Sequence, residues 1–89
     1  MGDFLVETYV ENAGVLRIDE VARAADQLSQ QGAEVRLLGA IFVPEEETCF
    51  YLYESSSADA VRESATRARL ALERITEAVS ITPARNPNH

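Results

Sequence analysis

The sequence predicts an α+β domain in which one antiparallel sheet of four strands carries two helices on one face. Three observations lead there: an apolar hairpin from Val35 to Glu54, a strand-like alternation near each end of the chain, and two helical stripes between the strands. The hairpin is the most informative. In VRLLGAIFVPEEETCFYLYE two runs flank Pro44-Glu45-Glu46-Glu47, and neither alternating set on either run is polar. A sheet that is apolar on both faces needs cover on both, and two helices on one side leave the other bare.

The elements follow in order. Asp3 to Val10 alternates Phe4, Val6, Thr8 and Val10 against Leu5, Glu7 and Tyr9, with the β-branched and aromatic content of a strand. Glu11-Asn12-Ala13-Gly14 breaks it. Asp19 is a plausible N-cap for a first helix, whose stripe Ile18, Val21, Ala25 and Leu28 is spaced three, four and three. Gln31-Gly32 ends it, the glycine suiting the left-handed C-cap. The hairpin supplies the second and third strands, one side of the former reading Val35, Leu37, Gly39, Ile41, Val43. Gly39 in mid-strand suggests a bulge or a close approach by something else. Ser56 with Asp59 forms a capping-box pattern for a second helix, striped by Val61, Ala65, Ala68 and Leu72. Asp19 with Arg23 and Glu63 with Arg67 sit four apart as surface pairs. Glu73 to Thr82 alternates as a fourth strand, although its first half could prolong the second helix. Residues 1–82 then form one domain of ferredoxin-like β-α-β-β-α-β order, and 83–89, with Pro83 and Pro87, a flexible tail.

At 89 residues the chain is one small domain, of marginal stability alone. Association through the bare sheet face, giving a homodimer, is the expected remedy. Fifteen acidic against eight basic residues give a net charge of −7, and every basic residue is Arg. The absence of Lys excludes a lysine Schiff base, and the acidic balance disfavours nucleic acid and anionic membrane surfaces as partners. Neither a membrane-spanning apolar run nor a secretory leader is visible, so the expected location is cytoplasmic. The single Cys49 fits a reducing compartment.

Several strings together resemble a known family: Phe4-Leu5-Val6-Glu7, then Gly39 to Thr48 (GAIFVPEEET), then Tyr53-Glu54 with Ser57-Ala58-Asp59-Ala60-Val61-Arg62-Glu63, and Glu73-Arg74-Ile75. They are similar to small bacterial proteins catalogued as a domain of unknown function or as nickel-binding protein. The resemblance runs to about Ile81. It implies a ferredoxin-like fold, dimers of the α/β-barrel kind and, in some members, nickel held by histidine. Where those members look to have a His-Asp pair near the end of the first strand, this chain has Thr8, Tyr9 and Val10, and its single His is His89.

Among residues with chemistry to offer, Cys49 is the one soft metal-ligand candidate, with Glu7 and Glu54 as oxygen donors; the alternative for Cys49 is a small buried hydrophobe. Glu45, Glu46 and Glu47 read as a solvated hairpin tip. Glu7, Tyr9, Tyr51 and Glu54 are the catalytic candidates. A strand carboxylate beside a pocket would rise in pKa and act as a base, with a tyrosine hydroxyl orienting a substrate oxygen, as in isomerase- or oxygenase-like cofactor-independent enzymes. The structural alternative pairs Glu7 or Glu54 with Arg36 or Arg74. Arg36, Tyr51 and Tyr53 are the ligand-binding candidates. Three roles stay open: a ligand-binding dimer, a small enzyme and an assembly module.

Overall fold

The computed structural model describes residues 2–10, 17–81 and 83. Strand β1 is Gly2–Tyr9, helix α1 is Ile18–Gln30, and β2 is Val35–Val43. A 3-10 turn over Pro44–Glu46 leads to β3, Thr48–Ser55; helix α2 is Ala58–Arg67 and β4 is Leu72–Ala78. The strands form one antiparallel sheet in the order β2-β3-β1-β4, the ferredoxin-like arrangement expected. Among the described residues no helix is long and apolar enough to cross a membrane. The expected break at Glu11 to Gly14 and the tail beyond Pro83 lie outside the described residues.

One face of the sheet holds the core. Phe4, Val6 and Thr8 of β1 and Cys49, Tyr51, Tyr53 and Ser55 of β3 are buried there. Above them α1 lays Val21, Ala24, Ala25 and Leu28, and α2 lays Val61, Ser64 and Ala65. Both helices sit on this side because α1 joins the parallel β1 and β2, and α2 the parallel β3 and β4, by crossovers of the same hand, and their apolar stripes are buried against the sheet. The opposite face presents Leu5, Phe50 and Leu52, half-buried, and Ile41, 67% exposed.

Two helix ends explain local detail. Each closes with a paired set of backbone bonds in which the residue after the C-cap turns left-handed. After α1 this residue is Gly32 at φ +102, with Gly32 N–H donating to Ser29 O and Ala33 N–H to Leu28 O. After α2 it is Arg69 at φ 59, with Arg69 N–H donating to Thr66 O and Leu70 N–H to Ala65 O. A side chain in this conformation crowds its own backbone, so glycine is the usual occupant.

The structure corrects several boundaries. The N-cap of α2 is Ser57, whose Oγ accepts the Ala60 N–H at 3.2 Å, rather than Ser56. The N-cap of α1 is Arg17 rather than Asp19, and it makes no side-chain cap bond. Asp19 and Arg23 form no ion pair; Arg17 reaches Glu20 instead at 3.2 Å, whereas Glu63 and Arg67 approach to 3.9 Å. Leu72 belongs to β4 and not to the α2 stripe. The suspected irregularity at Gly39 is a bulge: pairing jumps from Leu37 opposite Tyr53 to Gly39 opposite Leu52. The extra residue reverses the strand's alternation. Val35 and Leu37 therefore share the core face with Ala40 and Phe42, while Gly39 and Ile41 turn to the open face.

Candidate functional site

A concavity lies where β1 ends and β3 begins, beside the starts of α1 and β4. About 350 Å³ in volume, it is lined by Thr8, Tyr9, Val10, Arg17, Tyr51, Arg69, Leu70 and Ala71. β1 delivers Thr8 and Tyr9 because its register places them opposite Cys49 and Thr48. Tyr51 comes up from the middle of β3, and its ring also borders a smaller apolar crevice of about 150 Å³ with Ile18, Ala40, Phe42 and Cys49. Arg17 stands at the other wall. Its Nη1 donates to Glu20 Oε2 at 3.2 Å and its Nη2 to the Arg69 carbonyl at 3.1 Å, tying the entry of α1 to the exit of α2.

The cavity is polar at its hydroxyls and cationic at its rim. Burial pushes the Tyr51 phenol up to about 12; the neighbouring Cys49 adds to this, and Arg17 offsets part of it. At neutral pH the hydroxyl is therefore a proton-bearing donor. Burial also pushes the Cys49 thiol up, with Tyr51 partly opposing. Thr8 Oγ1 donates to the Cys49 carbonyl at 3.4 Å. The described lining holds hydroxyls and guanidinium groups and no carboxylate.

The sequence-derived candidates divide between places. Tyr9 and Tyr51 meet in the cavity. Glu7 and Glu54 face the other side of the sheet, where Glu7 stands opposite Phe50 and Arg74, and Glu54 opposite Asp3 and Arg36. Four residues of β3 separate their levels, about 13 Å at the strand rise, so the two carboxylates do not act together. Glu54 Oε1 accepts from Arg36 at 2.9 Å, which is the structural ion pair anticipated for it. Arg74 lies opposite Glu7 but turns its Nε to Thr76 Oγ1 at 3.1 Å. Of the three ligand-binding candidates, Arg36 sits at the far end of the sheet and Tyr53 is fully buried, which leaves Tyr51 alone in the cavity. The hairpin tip is solvated at Glu45 and Glu46, while Glu47 turns left-handed at φ 50.

Among the described residues the donor set does not fit nickel. Cys49 is 1% exposed on the core face with a raised thiol pKa, Glu7 and Glu54 are on the opposite face, and His89 lies outside the described residues. No group of three His, Cys, Asp or Glu side chains converges among the described residues.

Reading the sequence missed Arg17, Arg69 and Leu70. Arg17 directly precedes a helix and Arg69 follows the C-cap of one, and neither position carries a motif. Only the close of α2 at Arg67, which the stripe through Leu72 conceals, would have placed Arg69 at a turn.

No family model matches the chain, and no curated protein matches it. Among solved structures, the crystal structure of SCO4226 from Streptomyces coelicolor A3(2) superposes with a TM-score of 0.64 at 23% identity, over 90% of this chain and 99% of that chain. Likeness at this identity speaks for the fold alone. The chain is thus a small α+β domain with four antiparallel strands and two helices, built like SCO4226.

Proposed function

We propose that the protein is a small-molecule-binding homodimer whose ligand enters the Tyr51 cavity and whose open sheet face meets a second copy. The cavity carries the reading. It joins a proton-bearing phenol, a threonine hydroxyl and two guanidinium groups to the apolar Val10, Leu70 and Ala71, the mix of one apolar wall and few polar groups that orients a small ligand. The dimer is supported by Ile41, Phe50, Leu52 and Leu5, which form an apolar band across three strands on the side that neither α1 nor α2 covers. The lone buried Cys49 suits a reducing, cytoplasmic setting.

Binding is favoured over turnover by the separation of the carboxylates from the cavity. The enzyme alternative keeps Tyr9 and Tyr51 together but lacks a base beside them among the described lining. Amide chemical shifts recorded against a fragment library test the ligand site. Fragments that move Thr8, Tyr51 and Leu70 in the wild type, and lose this effect in Ala71→Trp, are the expected result. A library that moves none of these amides removes the cavity as a site.

A further inference from the structure

The groove between α1 and α2 holds a charge distribution at odds with the rest of the chain. It has a volume of about 310 Å³, and Arg17, Arg23, Arg67 and Arg69 line it. These are half of the arginines in a protein of net charge −7, and Glu20 is the one carboxylate in the lining. Clustered guanidinium groups repel one another, and a chain with fifteen acidic residues has ample means to neutralise them. Here it does so incompletely. Arg17 is fixed by Glu20 and the Arg69 carbonyl, and Arg67 has Glu63 at 3.9 Å. Arg23 and Arg69 make no side-chain hydrogen bond or ion pair among the described residues. Ala24 and Ala68, both buried, keep the floor shallow, and Gln27 adds an amide at the edge.

We propose that this groove binds a small multivalent anion, a molecule bearing a phosphoryl group or several carboxylates, on Arg23, Arg67 and Arg69. Guanidinium forks match both groups through paired N–H donors, and two free forks beside a third that is weakly held supply more donors than a single charge would use. Arg69 has a second distinction. It occupies the left-handed position after α2, where glycine fits better, so its side chain is present at a conformational cost. Arg17 and Arg69 line both the groove and the Tyr51 cavity, which makes the two sites neighbours. The groove shares these two residues with the cavity, but its proposed anion binding does not depend on the Tyr51 reading.

The test follows the arginine Nε–H signals by NMR while sodium pyrophosphate or sodium citrate is added, with sodium chloride of matched ionic strength as control. Saturable shifts at Arg23, Arg67 and Arg69, with Arg62 and Arg74 unmoved, are expected from at least one anion. The anion that binds tells phosphoryl from carboxylate ligands. In Arg69→Gly the fold persists, because glycine suits the turn, and affinity falls about tenfold or more, as the loss of a charge-assisted hydrogen bond predicts. Arg62→Gln and Tyr51→Phe bind as the wild type does, so failure of the cavity reading leaves this result standing. Shifts that chloride reproduces, shifts shared by every arginine, no response to either anion, or undiminished affinity in Arg69→Gly would each overturn the proposal.

Discussion

Tyr53 and Ser64 show how one residue pair carries cost inside an otherwise apolar core. Both hydroxyls are buried and neither has a partner within hydrogen-bond geometry. They are still near enough for Ser64 to offset part of the burial that pushes the Tyr53 phenol to about 12. A buried hydroxyl without a partner costs about 1–3 kcal/mol, whereas removing both ends of a poor contact is nearly neutral. The double substitution Tyr53→Phe with Ser64→Ala should therefore leave unfolding free energy within about 1 kcal/mol of wild type, by urea denaturation. A loss well beyond that means the two hydroxyls are bonded. By contrast, Leu28→Ala empties a site that is 3% exposed and should cost about 2–5 kcal/mol in the same assay.

Among the elements, the loop into α2 works through two serines with distinct tasks. Ser55 Oγ donates to the Glu34 carbonyl at 2.7 Å and accepts the Ser57 N–H at 3.3 Å, which fastens the end of β3 to the start of β2. Ser57 caps the helix, so Ser57→Ala should cost about 1 kcal/mol while Ser56→Ala changes little. Equal effects at the two positions contradict this assignment. The existence of the loop and helix was legible in the sequence; which serine caps was not, because adjacent serines offer the same chemistry and only backbone direction selects between them. The bulge at Leu38 was half legible for a similar reason. Gly39 marked the place, but periodicity cannot say on which side of a glycine the alternation slips. Tyr51, a candidate from its position on β3, does line the cavity. Its cationic neighbours Arg17 and Arg69 were not legible, since they reach the cavity through two helix ends that are distant in sequence and meet only in the fold.

At the scale of the whole molecule, the two buried phenols fix a direction for the pH dependence of stability. Both have folded pKa values raised from 10 to about 12, so in the unfolded chain they ionise first. Their contribution is present below pH 10 and is lost as pH rises through 12, because the unfolded state then binds fewer protons. The melting temperature should fall over that window, and the fall should flatten in Tyr51→Phe with Tyr53→Phe. An unchanged slope in the double variant would place the alkaline sensitivity elsewhere. The shape of the molecule raises the larger issue. Its helices cover one face of the sheet, and the other combines the Ile41, Phe50, Leu52 and Leu5 band with the Arg36–Glu54 ion pair at one end and Glu7 facing Arg74 at the other. An apolar centre with both charge signs at its margins is a surface that a second copy, turned about a two-fold axis, can match. Light scattering coupled to size exclusion at micromolar concentration tests this most directly. The expected result is twice the 9.8 kDa chain mass for the wild type and a folded monomer for Ile41→Glu, where residue 41 is exposed in the single chain and would be buried in the pair. A wild-type peak at the mass of one chain, or a dimer that survives Ile41→Glu, contradicts it.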